Sequence, residues 1–231
     1  MPVLYNDINT VGTLNMMQAA RDAKVRRFVY ASSSAIYGDD LRLPKTEGNE
    51  GNILSPYALT KKINEQYGEL YWRLYGLPTI GLRYFNVFGR RQDSKGYYAA
   101  VIPRFISLIM QCTQPEIYGD GRQSRDFVYV NDIVSANLAA CVASEDACGR
   151  SYNIACGEYV ELIEVFHIIK NALGSDIEPI FAKGRPGDIK HSHADITAAA
   201  KWLGYHPQYN FEEGIKKAIS WYKEAFANGE I

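Results

Sequence analysis

The sequence has little that points to nucleic acid, membranes or metals. Its formal net charge is −1, from 25 basic and 26 acidic residues, so it lacks the positive field that nucleic-acid binding needs. No apolar run approaches the roughly 20 residues of a membrane span. No signal peptide opens the chain, and no repeat or low-complexity stretch interrupts it. The cysteines, Cys112, Cys141, Cys148 and Cys156, form no CxxC pair, which argues against a zinc or redox centre and suits a reducing cytoplasm. His167, His191 and His193 have no carboxylate or cysteine at ligand spacing, so no metal is expected. The most telling absence is a glycine-rich turn between a first strand and a first helix, which holds the pyrophosphate in dinucleotide-binding folds.

What remains is an ordinary globular composition, 47% hydrophobic and 22% charged, with 17 tyrosines as the one unusual count. The chain reads as a loop leading into a helix over 9–21, then a short buried strand, Phe28-Val29-Tyr30-Ala31, that ends in three serines. A long helix runs from Pro56 to about Tyr75, broken by Gly76-Leu77-Pro78 and followed by a strand over 79–85. Strand, helix, strand with tight joints predicts a parallel sheet covered by helices. The second half is mixed: helices over 102–111, 132–143, 162–173, 196–203 and 211–226, and strands over 125–130, 152–155 and 177–182. The expected fold is α/β: a partial Rossmann-like parallel sheet without its first strands, over residues 1–90 and interleaved with later segments, and a smaller mixed lobe over 91–231.

The residues that carry chemistry are Ser33 at a strand end and Tyr57-Ala58-Leu59-Thr60-Lys61 on a helix. Residues 57 and 61 stand four apart and share a face. A phenol is a poor base at neutral pH, but an adjacent ammonium favours its phenolate, and a serine hydroxyl can relay or orient the proton. Taken alone, Tyr-x-x-x-Lys also fits a plain surface pair.

The longer segments Ala31-Ser-Ser-Ser-Ala-Ile-Tyr-Gly-Asp39, Ser55-Pro-Tyr-Ala-Leu-Thr-Lys61 and Leu82-Arg-Tyr-Phe-Asn-Val-Phe-Gly89 resemble the extended short-chain dehydrogenase/reductases. Within that family they are most similar to UDP-N-acetylglucosamine 4-epimerases. The resemblance implies NAD as cofactor and a UDP-N-acetylhexosamine as substrate. It implies Ser33, Tyr57 and Lys61 as the catalytic set and as contacts to the cofactor, which Tyr84 also touches. On the substrate side it implies Ser34 and Asn86, with Ala100 and Val101 in the segment against the uracil. Arg125 and Arg185 would clamp the diphosphate, a task suited to the planar guanidinium fork. Asp188 would hold the ribose. Ser192 falls where relatives restricted to plain hexoses carry a tyrosine, and so would admit a 2-acetamido group.

The implied reaction passes through a transient 4-keto sugar that turns within the pocket, with no net redox change. A homodimer through the helices over 9–21 and 57–75 is also implied. The family carries the glycine-rich turn and first strands ahead of the position of Met1, and this sequence does not. The alternative is therefore an inactive or split fragment of such an enzyme. A 4,6-dehydratase is disfavoured because Ser34 and Ala35 stand where its Asp-Glu pair belongs, and UDP-glucose or UDP-glucuronate epimerases are less favoured substrate assignments.

Overall fold

The structure, a computed structural model, describes residues 1–94, 100–184 and 190–229. The chain divides into two compact units. Unit 1 comprises Met1–Phe85, Ile133–Gly157 and Ala194–His206, and unit 2 comprises Asn86–Asp132, Glu158–His193 and Pro207–Ile231.

Unit 1 opens with α1 (Pro2–Tyr5), which runs through a π-helical segment (Asn6–Val11) into α2 (Gly12–Asp22). Pro2 sits in the first turn, where its missing N–H has no intrahelical partner to lose. The loop expected before residue 9 is therefore helical. Asn6 and Asp7 suggested a loop because such side chains compete locally with helix hydrogen bonds. Here Asn9 Nδ2 instead donates to Thr60 Oγ1 at 3.1 Å, and Thr10 is buried.

The sheet of unit 1 has strand order β1-β2-β7, all parallel, from β1 (Phe28–Ser33), β2 (Thr79–Tyr84) and β7 (Arg150–Ile154). Among the described residues β1 is an edge strand. Between β1 and β2 runs α3 (Pro56–Tyr75), started by Ser55, whose Oγ accepts from Ala58 N at 3.1 Å, and ended by Gly76 in the left-handed conformation, φ 66°. The helix lies close on the sheet: a Cβ at Gly68 would come within 2.4 Å of the Tyr30 hydroxyl. Met17, Ala20, Tyr30, Tyr71 and Leu77 fill the space between helices and strands. The loop over 38–54 is held by Asn153, whose Nδ2 donates to Lys45 O at 2.8 Å and Asp195 O at 3.0 Å, while its backbone N–H reaches Glu47 Oε1 at 2.7 Å. Helix α7 (Thr197–Leu203) packs against β7.

Unit 2 is built on short strands. β3 (Asn86–Phe88) pairs parallel with β6 (Phe127–Tyr129), and β4 (Glu116–Tyr118) pairs parallel with β9 (Ile180–Ala182). A third small sheet has the order β10-β5-β8, from β5 (Ser124–Arg125), β8 (Val160–Glu161) and β10 (His191–Ser192). Helices α4 (Val101–Met110), α6 (Leu162–Leu173) and α8 (Phe211–Ala227) close over a core that includes Phe88, Phe105, Ile106, Phe166, Ile169 and Ile215. Gly174 ends α6 in the left-handed conformation at φ 68°, and an Asn210–Glu213 capping box starts α8. Helix α5 (Val130–Val142) follows β6, and its residues from Ile133 on belong to unit 1. The single strand expected over 125–130 is in fact two. Asp126 N donates to Ser192 O at 2.8 Å while Asp126 O accepts from Asn86 N at 3.2 Å, which hands the chain from one sheet to another.

Candidate active site

In unit 1 the candidate residues gather at the carboxyl ends of parallel strands, where open α/β sheets take their ligands. Ser33 is the last residue of β1 and stands opposite Tyr84, the last of β2. The Ser33 hydroxyl caps the following 3₁₀ turn (Ser34–Tyr37), accepting from Ala35 N at 3.2 Å, and Ser34 is half-buried in that turn. Tyr84 donates its hydroxyl to Asn137 Oδ1 at 3.0 Å, and burial raises its pKa above the ordinary phenol value.

Tyr57 and Lys61 occupy the first two turns of α3. Tyr57 is 36% exposed, and Lys61 Nζ lies 5.8 Å from its ring centre. Lys61 Nζ also donates to Ala31 O at 3.0 Å, which ties the helix to β1 two residues before Ser33. Burial lowers the Lys61 pKa from its ordinary value. Two supports escaped the sequence reading. Tyr5 packs edge-on against Tyr57 with ring centres 6.2 Å apart, and Thr60 Oγ1 donates to Tyr57 O at 2.7 Å while accepting from Asn9.

In unit 2, Asn86, Val101 and Arg125 line one pocket of about 240 Å³. Arg104, Phe105, Tyr118 and Gln123 line it as well, and the sequence reading missed them. Arg104 is three residues on from Val101, on the same face of α4. Phe127 stands two residues on from Arg125 in the expected strand, so it and Arg104 were reachable from periodicity, whereas Gln123 lies ahead of that strand. Asn86 Nδ2 donates to Asp126 O at 3.1 Å, and Arg125 NH1 donates to Ser124 O at 2.9 Å and Lys190 O at 3.2 Å. Ser192 pairs with Arg125 in register across β10 and β5. Ala100 is the N-cap of α4, beside this pocket's Val101. Arg185 and Asp188 lie outside the described residues.

A model of the NAD-dependent epimerase/dehydratase family matches residues 1–155. A protein of Methanocaldococcus jannaschii is 42% identical over 223 residues, covering 96% of this chain and 71% of that protein. The chain belongs to this family. Its cofactor is accordingly NAD. The structure is also similar to that of a UDP-N-acetylglucosamine 4-epimerase from Methanobrevibacter ruminantium in complex with UDP-N-acetylmuramic acid, with 39% identity and TM-score 0.92 over 97% of this chain and 71% of the other. A UDP-glucose 4-epimerase from Thermotoga maritima with UDP-glucose matches with 33% identity and TM-score 0.92, over 98% and 72%.

The residues present suit one end of this cofactor. Lys61 offers a half-buried ammonium whose described bond is to a carbonyl, and Ser33 and Tyr84 end neighbouring strands with hydroxyl side chains. An ammonium and hydroxyls are the kinds of donor that a ribose diol requires. The sequence has no glycine-rich turn for the pyrophosphate.

Proposed function

We propose that the chain carries the acid-base and substrate-binding residues of a UDP-N-acetylhexosamine 4-epimerase, interconverting the gluco and galacto epimers. The observation that carries this reading is the Tyr57–Lys61 pair on one face of α3, with Lys61 anchored to the strand that ends in Ser33. In a 4,6-dehydratase an acid and a base would follow Ser33, and the positions there hold Ser34 and Ala35.

NAD, when bound, would supply the hydride acceptor and donor for sugar carbon 4. The chain's own groups handle the proton. Tyr57 accepts it from the 4-hydroxyl and gives it back from the same oxygen, so one residue serves both directions. Lys61 holds a positive charge against the Tyr57 ring, and Ser33 offers a hydroxyl to orient the sugar oxygen. Arg125 and Asn86 hold the diphosphate and Val101 lies against the uracil. Arg185 and Asp188 belong to this assignment from the sequence. Ser192, beside Arg125, accommodates the acetamido group, and Ser34 contacts the sugar. A homodimer through α2 and α3 is part of the proposal, supported by exposed Met16 on α2, exposed Leu59 on α3, and exposed Ile8 and Val11 in the π-helical segment that leads into α2. Sedimentation as a monomer at micromolar concentration would remove it.

The test is direct. The chain is incubated with millimolar NAD and UDP-N-acetylglucosamine, and the sugar signals are followed by proton NMR. Growth of UDP-N-acetylgalactosamine signals to a constant ratio supports the reading. Conversion of UDP-glucose in preference, or formation of a 4-keto-6-deoxy product, contradicts it.

A further inference from the structure

One buried charge cluster in unit 1 is not used by the chemistry above. Glu65 lies on α3 one turn beyond Lys61 and two turns beyond Tyr57, on the same stripe of the helix. Its Oε1 accepts from Ser32 Oγ at 2.5 Å and from Arg83 Nε at 2.8 Å, and its Oε2 accepts from Arg83 NH2 at 2.8 Å. Ser32 and Arg83 are partners in the β1–β2 register. One carboxylate therefore joins the helix to both strands at a single node. Arg83 also bonds Glu50 Oε1 at 2.6 Å and donates to the Tyr37 hydroxyl at 3.0 Å, which brings in the loop and the turn that follow Ser33. Lys62, 3.4 Å from Glu50, completes the charge balance.

The Arg83 and Glu65 side chains are only 6% and 7% exposed. A buried ion pair gains little net stability, because desolvation of both charges offsets their attraction, and apolar packing of equal volume does as well. What apolar packing cannot supply is direction. A two-bond guanidinium–carboxylate fork fixes an angle, and the Ser32 hydroxyl fixes a position along β1. Lys61 and Glu65 thus grip the adjacent residues Ala31 and Ser32, and Ser33 is the next residue along.

We infer that Glu65, seated on Arg83 and Ser32, is a positioning residue that sets the rotation of α3 and so aims Tyr57 and Lys61 at the end of β1. This rests on Tyr57 and Lys61 being the reacting pair, but its test does not use turnover, so the two can fail separately.

The test uses the full chain labelled with ring-¹³C tyrosine, the Tyr57 signal being assigned by its loss in Tyr57→Phe. Because the Tyr5 ring sits edge-on to Tyr57, the Tyr57 ring shifts report rotation of α3. Ser32→Ala removes one hydroxyl and Glu65→Gln removes the charge. Both should move the Tyr57 signal by more than its linewidth well below the melting temperature, with Ser32→Ala costing little in thermal stability. A folded Ser32→Ala chain with its Tyr57 signal unmoved overturns the inference, even if Glu65→Gln fails to fold. A lowered melting temperature with unchanged Tyr57 shifts would mean the cluster only stabilises.

Discussion

Lys61 reaches across Tyr57 with its ammonium 5.8 Å from the ring centre and ends on the carbonyl of Ala31 at 3.0 Å. The same side chain therefore faces the candidate base and fastens the helix that carries it.

That arrangement has a pH signature. Burial holds the folded-state pKa of Lys61 below its unfolded value of 10.5. Below both values the full cost of burying the ammonium is present. Between them the unfolded chain keeps the extra proton, so stability rises with pH. The melting temperature of Lys61→Met relative to the parent should therefore fall as the pH rises toward 10.5, because the parent sheds a burial cost that the variant does not carry, while turnover is lost. Melting curves of both proteins across that range measure it, and a relative melting temperature that climbs with pH would contradict it.

Tyr57→Phe removes the oxygen proposed to handle the proton, and little volume. Epimerisation should fall by roughly 100- to 10,000-fold, the usual worth of acid-base catalysis. Binding of UDP-sugar, followed by calorimetry, should change less than twofold. Turnover within threefold of the parent would exclude Tyr57 as the base.

Ser192→Tyr tests the sugar assignment. The serine stands opposite Arg125 in a two-residue strand pair, so a ring there should crowd a 2-acetamido group by steric exclusion alone. The ratio of specificity constants for UDP-N-acetylglucosamine and UDP-glucose should fall at least tenfold, about 1.4 kcal/mol. An unchanged ratio takes Ser192 out of the site.

Two glycines separate backbone strain from collision. Gly76 and Gly149 both have positive φ, 66° and 72°, but a Cβ at Gly76 meets nothing within 4 Å whereas one at Gly149 falls 2.3 Å from Trp72 Cδ1. Gly76→Ala should cost about 1 kcal/mol from its left-handed backbone alone. Gly149→Ala should cost about 1–3 kcal/mol more, from overpacking. Equal losses in urea denaturation would mean Trp72 moves aside freely.

The ends of α3 were legible because the signals are local: Ser55 and Pro56 start it and Gly76 stops it. The shared face of Tyr57 and Lys61 follows from spacing alone. The π-helical segment was not legible, because Asn9 takes its partner from Thr60, far along the chain. For the same reason the split of the strand at Asp126 escaped notice, since it depends on Ser192 and Asn86. The strands of unit 2 run two or three residues, too short for alternation to register. Arg83 announced itself only as part of a motif. Its pairing with Glu65 joins a strand to a helix and has no spacing rule.

Each unit is assembled from three separate stretches of chain. Neither can therefore be excised as one continuous piece of gene, and a truncation that passes Phe85 from one end or Pro207 from the other removes part of both. Dissection by deletion will report a loss of folding before it reports anything about chemistry. Point substitutions, or split halves expressed together, are the tools this connectivity permits.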